Sequence, residues 1–342
     1  MTFTNGAIIG NYQIIRKLGN GAFGDVYQVN QVLLKAERAV KFILAKKGQD
    51  LIQLLDEARN SHASAEEHIV KVYNADLVVH NTNHYVAIEM EYLPDGSIYD
   101  IARQNYLSFQ EALRATRHVL YALSAAHAAG IIHRDVKPAN ILKAGNNYKL
   151  ADFGLSYLKG STGGYNNLVY VMHAAPELYN GTAPSETTDI YAAGMTLYRL
   201  CLPFSAINLN MSNLTGWRSG KMDKTFPDHN GIPNYLPNKL RTVIRKATAV
   251  DPANRYATAS EMMTAVERLS ININWKRSSS GSVWEANKDG KNHVVKLLAK
   301  NGSAVCQYKV NDRKPRDWDN IKEQPKTALK RLNNLIKTTL LN

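Results

Sequence analysis

Asp135, Lys137 and Asn140 fall within six residues of one another, and Asp152-Phe153-Gly154 begins twelve residues after Asn140. No other feature restricts this chain so strongly. The stretch reads His133-Arg134-Asp135-Val136-Lys137-Pro138-Ala139-Asn140 and puts an acid, a cation and an amide in one short segment. A carboxylate can orient an attacking hydroxyl and take its proton. A lysine can neutralise charge on a moving phosphate, and an amide oxygen with a second carboxylate can hold magnesium. The fold has to bring residues 135, 137, 140 and 152 together, and the set suits phosphoryl transfer.

The 342 residues imply about two domains. No run of about 18 apolar residues occurs, so no membrane-spanning helix is expected. Met1 to Gly6 offers neither a basic start nor a long apolar stretch, and a secretory signal is not expected. The two cysteines, Cys201 and Cys306, have no CxxC or His-rich neighbours. A disulfide framework or zinc site is therefore not expected, and a reducing cytoplasm is. Of the net charge of +13, residues 271–342 carry +9, from 15 Lys and Arg against 6 Asp and Glu. The basic character is concentrated there and calls for its own explanation.

The first third alternates apolar and polar residues. Residues 12–18, 25–32, 39–44, 69–73, 77–80 and 85–90 read as strands, with a helix over 50–60 where Leu51, Ile52, Leu54, Leu55 and Ala58 recur at helical spacing. Pro94-Asp95-Gly96 breaks the pattern. Helices follow over 109–129, closed by Gly130, then 190–200, weakened by Gly194, then 238–248 and 258–269. After the flexible Ser278 to Ser282, strands over 283–287, 293–299 and 304–310 are joined by Asp289-Gly290 and Asn301-Gly302, and a basic helix runs over 327–341. The expected architecture is α+β: a β-rich lobe over 1–92, an α-rich lobe over 93–270 and a small β-β-β-α module over 271–342.

Gly19-Asn20-Gly21-Ala22-Phe23-Gly24-Asp25-Val26 fits G-x-G-x-x-G-x-V. Such loops also open dinucleotide-binding folds, but there a helix follows, whereas here strand pattern continues. Ala39-Val40-Lys41 lies on a strand, and Glu89-Met90-Glu91-Tyr92-Leu93 precedes the break. Together with His133–Asn140, Asp152-Phe153-Gly154 and Ala175-Pro176-Glu177, these motifs occur in the order found in eukaryotic-type (Hanks-type) serine/threonine protein kinases. Residues 12–270 resemble that family, in a bacterial or phage form with a basic extension.

The resemblance implies a bilobal fold that transfers the γ-phosphate of Mg·ATP to Ser or Thr hydroxyls. Asp135 would accept the hydroxyl proton, Lys137 would stabilise the transferring phosphate, and Asn140 and Asp152 would hold Mg2+. Lys41 would contact the phosphates with Glu57 as its partner; Asp56 and Glu66 are alternatives. Gly19, Gly21 and Gly24 would let the backbone approach the phosphates. Val26, Ala39 and Leu142 would sandwich adenine, the backbone of Glu91 and Leu93 would hydrogen-bond it beside the gatekeeper Met90, and Ser97 would reach the ribose. Asp189 would brace the catalytic loop and Arg255 would pair with Glu177.

Two departures qualify the resemblance. Val169-Tyr170 and His173 stand where the family carries Gly-Thr and Tyr, so a peptide substrate is less firmly implied. Arg134 suggests control by phosphorylation of the activation loop, with Ser156, Ser161, Thr162, Tyr165 and Tyr170 as acceptors, and residues 160–167 should be mobile unless something orders them. A non-protein hydroxyl as acceptor, a catalytically inactive scaffold and a nucleic-acid-binding regulator working through residues 283–342 are the rival readings; the second needs a broken Lys41, Asp135, Asn140 or Asp152, and all four are intact. The module, with Trp284, Tyr308 and Trp318, could bind nucleic acid, dock an acidic protein, pack on the kinase lobe or present a solvated basic surface.

Overall fold

The computed structural model describes residues 3–20, 24–45, 51–64, 66–104, 107–159, 172–202, 232–278 and 282–342, with side chains excluded at 51–54, 57 and 300. The first lobe is an antiparallel sheet of β1 (Ile8–Ile9), β2 (Tyr12–Asn20), β3 (Asp25–Gln31), β4 (Ala36–Leu44), β5 (Val72–His80) and β6 (Asn83–Met90), in the order β1-β2-β3-β4-β6-β5. Phe3, Tyr12, Tyr27, Phe42 and Tyr85 bury one face, with Phe3 and Phe42 edge-to-face at 5.1 Å. Helix α1 (Leu51–Ala63) covers the other through Ala58 against Ile43, Val86 and Ile88. The separate strands expected over 69–73 and 77–80 are one strand. It is an edge strand, so its polar residues Asn74 and Asp76 can sit among the pairs with β6. Ile69 instead makes an isolated bridge to Leu150.

The second lobe is built on α3 (Phe109–Ala128), which follows the shorter α2 (Ile98–Gln104). Ser108 and Glu111 form a capping box at the start of α3, and Gly130 ends the turn after it at φ 76°. Short pairs follow: β7 (Ile131–Ile132) with β10 (Tyr157–Leu158), and β8 (Ile141–Ala144) with β9 (Asn147–Leu150). Helices α4 (Glu186–Leu200) and α6 (Ala259–Glu267) pack on α3, and α5 (Asn238–Ala247) packs on α4 and α6. Helix α4 begins earlier than its apolar pattern because its first turn buries the polar Thr188 and Asp189.

Gly194 is the contact point of α4 with α5. A Cβ there would lie 2.6 Å from the Cβ of Ala247 and 3.0 Å from Cγ2 of Thr248. The glycine that weakens the helix as a sequence lets the two helices approach. Gly194→Ala is expected to destabilise the lobe by about 1–3 kcal/mol despite alanine's better helix propensity, read as a lower urea midpoint with unchanged slope.

The C-terminal module has five strands rather than the expected three: β11 (Lys276–Arg277), β12 (Val283–Lys288), β13 (Lys291–Lys300), β14 (Ser303–Val310) and β15 (Lys322–Glu323), in sequential order, with α7 (Pro325–Thr339) on one face. The two extra edge strands are too short to show a period. Asp289-Gly290 and Asn301-Gly302 make the expected turns, with all four φ values positive. The aromatic residues are used internally. Trp284 is 3% exposed, stacks on Phe109 of α3 at 6.0 Å and meets Tyr235 edge-on at 5.0 Å. Tyr308 Oη and His293 Nδ1 are 2.6 Å apart, and Trp318 donates to the Cys306 carbonyl beneath Arg331. One apolar core runs from α3 through Trp275 and Trp284 to Leu332 and Ile336 of α7.

Candidate active site

The catalytic segment lies between β7 and β8, and its backbone is held in an unusual shape. Arg134 and Asp152 have φ values of 69° and 66°, a left-handed conformation that costs a non-glycine residue roughly 1–3 kcal/mol. Asp189, fully buried at the start of α4, offsets the cost at Arg134. Its Oδ2 accepts from the His133 N–H at 2.7 Å and its Oδ1 from the Arg134 N–H at 2.8 Å, with His127 Nε2 2.9 Å from Oδ2. Burial pushes the Asp189 carboxyl up, but these bonds, that of His127 foremost, hold it below the ordinary carboxylate range.

His133 is structural. The Asp135 N–H donates to its Nδ1 at 3.2 Å, so the ring proton sits on Nε2 and faces the Ala151 carbonyl at 3.2 Å. Burial keeps the ring neutral, and it packs edge-on against Phe153 at 4.6 Å.

Asp135 Oδ2 accepts from Lys137 Nζ at 2.6 Å and from Asn140 Nδ2 at 2.9 Å. Its Oδ1 is buried without a hydrogen-bond partner among the described residues. A buried carboxylate oxygen without a donor is costly, and it is where a hydroxyl proton would be welcome. Burial, which outweighs the attraction of Lys137, raises the Asp135 carboxyl above the usual aspartate range. Asn140 uses its amide nitrogen on Asp135, so its amide oxygen is the atom left for a cation. Lys41, 2% exposed on β4, reaches across from the first lobe to Asp152 Oδ1 at 2.8 Å. Burial alone would raise Asp152, but the charge and hydrogen bond of Lys41 reverse the direction and keep it ionised. Lys41, Asp135, Lys137, Asn140 and Asp152 thus form one connected cleft.

The remaining expected residues divide. Gly19 has open space where a Cβ would point, as a phosphate cradle needs. Gly24 serves strand packing: a Cβ there would lie 2.3 Å from the Phe42 carbonyl oxygen. Gly21 lies outside the described residues, as do Ser161, Thr162, Tyr165, Val169 and Tyr170 and the whole stretch 160–167. Ala39 pairs with Met90, so one apolar wall adjoins the gatekeeper, and Val26 and Leu142 are half-buried. The Glu91 N–H is bonded to the Lys71 carbonyl, and its carboxylate to Lys149, which leaves its carbonyl for a base; Leu93 follows in the same segment. The Ser97 hydroxyl donates to Asp100 Oδ2 at 2.6 Å and accepts from the Asp100 N–H, so it caps the start of α2. Glu57 lies on α1 with its side chain outside the described residues. Neither alternative stands in for it: Asp56 is exposed beside Arg59, and Glu66 accepts from the His68 N–H.

Three further contacts brace the cleft. Arg255 makes two 2.7 Å bonds to Glu177. His173 is buried and points at α4, where Arg199 Nη1 lies 2.8 Å from its Nε2, so it anchors the segment after the cleft and does not face it. Asn60 Nδ2 on α1 donates to Ser156 Oγ at 2.8 Å, and that hydroxyl donates to the Phe153 carbonyl. The Asn60–Ser156 link and His127 escaped the sequence, since each joins residues more than sixty positions apart with no motif.

Comparison with known proteins shows the family. Residues 12–266 match the protein kinase domain family. The chain is 31% identical over 269 residues to the serine/threonine-protein kinase PrkC of Bacillus subtilis, covering 75% of this chain and 40% of that protein. It is 30% identical over 286 residues to a probable serine/threonine-protein kinase, CPE1738, of Clostridium perfringens, covering 81% and 41%. It thus spans about two fifths of the length of these relatives. The fold also matches the crystal structure of the PknI kinase domain of Mycobacterium tuberculosis, with a TM-score of 0.55 and 23% identity, covering 78% of this chain and 99% of that one. No described helix is long and apolar enough to cross a membrane. The chain belongs to the protein kinase family.

Proposed function

We propose that the chain is a serine/threonine protein kinase of the reducing cytoplasm that uses Mg·ATP. The observation that carries this reading is the buried Asp135 carboxylate, pinned by Lys137 and Asn140 with one oxygen still without a donor among the described residues. Lys137, two residues beyond Asp135, resembles the serine/threonine branch, and the printed names of the bacterial relatives point the same way. The two buried free thiols, Cys201 and Cys306, support a reducing compartment.

Asp135 orients the acceptor hydroxyl and takes its proton as the hydroxyl oxygen bonds to the γ-phosphorus and the bond to ADP breaks. Lys137, held in place by Asp135, would stabilise the negative charge of the moving phosphate. Lys41 faces the remaining phosphates, and the backbone at Gly19 admits them. Asn140 and Asp152 would hold magnesium, which supplies charge neutralisation between the phosphates. Val26, Ala39 and Leu142 with the carbonyl of Glu91 would receive the base, and Leu93 would add a backbone contact.

The test is incubation with γ-labelled ATP, Mg2+ and a generic protein substrate, beside the Asp152→Ala chain. Label should appear in precipitated protein, including the chain itself, and only with intact Asp152. Label found solely in soluble small molecules would instead support a non-protein acceptor, and equal labelling by both chains would reject the site.

A further inference from the structure

We infer that the sheet of the C-terminal module is a docking surface for an acidic segment of a protein partner that also carries aliphatic side chains. The module's sheet has two unlike faces. One is covered by α7 and the second lobe and holds Trp284, Val295 and Cys306. Strand pairing places the other set of side chains on the opposite face, because directly paired residues of antiparallel strands share a side. There Lys309 stands across from Val294, Lys322 across from Val305, Lys276 across from Glu285 and Lys296 across from Val283.

Among the described side chains, four lysines thus share this face with a single carboxylate, that of Glu285. None of the four forms an ion pair among the described residues. Adjacent strands lie about 4.8 Å apart and alternate residues about 7 Å, so these cations repel across the sheet. Between them runs an aliphatic strip of Val283, Val294, Val305 and Leu298, the last 45% exposed. The arrangement suits a partner that brings carboxylates to the lysines and covers the strip.

The same structure argues against nucleic acid. Single strands are held by stacking on aromatic side chains as well as by cations. Trp284, Tyr308 and Trp318 are all engaged on the covered side, and the face between the lysines is aliphatic. A sugar-phosphate backbone has nothing to lay on valine and leucine. This surface stands apart from the transfer chemistry, and its test reads binding alone.

The probe is a short labelled peptide of alternating glutamate and valine, followed by fluorescence anisotropy with the full chain. Binding should weaken about tenfold in the Lys296→Glu, Lys309→Glu double variant. The Lys314→Glu, Arg316→Glu double variant makes the same charge change on the loop after β14 and should leave the affinity within about twofold. Melting temperatures identify any failure to fold, and the milder Lys296→Gln, Lys309→Gln pair then takes the place of the reversal. Equal weakening by both double variants would reduce the effect to net charge and overturn the inference. So would tighter binding of a labelled oligothymidine, or no binding of the peptide at physiological salt.

Discussion

Replacing Asp135 by asparagine is expected to slow phosphate transfer by about a hundred- to ten-thousandfold while leaving the fold intact, the range over which a positioned general base acts. Asparagine keeps the size of the side chain and a partner for Asn140, but it cannot take a proton. The expected tolerance of the fold follows from the raised Asp135 carboxyl. A carboxyl whose value is raised by folding destabilises the native state as pH climbs through that value, so a neutral residue removes a cost at neutral pH. Single-turnover transfer, paired with thermal unfolding of the same samples, separates the two effects. A variant that unfolds early would show that the charge of Asp135 is itself structural.

Arg255→Ala should be the most damaging substitution for stability, at about 3–5 kcal/mol, because it leaves a carboxylate deprived of its partner inside the second lobe. The guanidinium is wholly buried. It makes the twin bonds to Glu177, donates to the carbonyls of Thr187, Ala249 and Val250, and stacks over Tyr191. It thereby ties the segment after the cleft to α4 and to the turn before α6. Native domains are held by only about 5–15 kcal/mol, so this loss takes a large share. Urea unfolding gives the number, and the Arg255→Met, Glu177→Met double variant should lose less than the two single variants combined. A loss below about 1 kcal/mol for Arg255→Ala would show that the pair is replaceable.

The cleft was largely legible in the sequence because its residues sit in contiguous strings whose spacing survives folding. Asp135, Lys137 and Asn140 are positioned by six residues of backbone, and Lys41 by its place on one strand. Contacts set by the packing of distant elements were not legible. That Ser97 caps its own helix follows from the turn of the chain toward Asp100, which no motif announces. Trp284 has the look of an exposed stacking residue in a basic segment until Phe109 and Tyr235 close over it. The single edge strand Val72–His80 was hidden because an edge needs no apolar alternation on its open side. The module's five strands shrank to three on reading because two-residue pairs carry no period.

The role proposed for Asp135 is to activate a serine or threonine hydroxyl for attack on ATP. Its most direct measurement is amino-acid analysis of the labelled protein after reaction with γ-labelled ATP, for the native chain beside Asp135→Asn. Label is expected on phosphoserine and phosphothreonine with the native chain and should be almost completely lost with the variant. Label on phosphotyrosine, or undiminished labelling by Asp135→Asn, would contradict it.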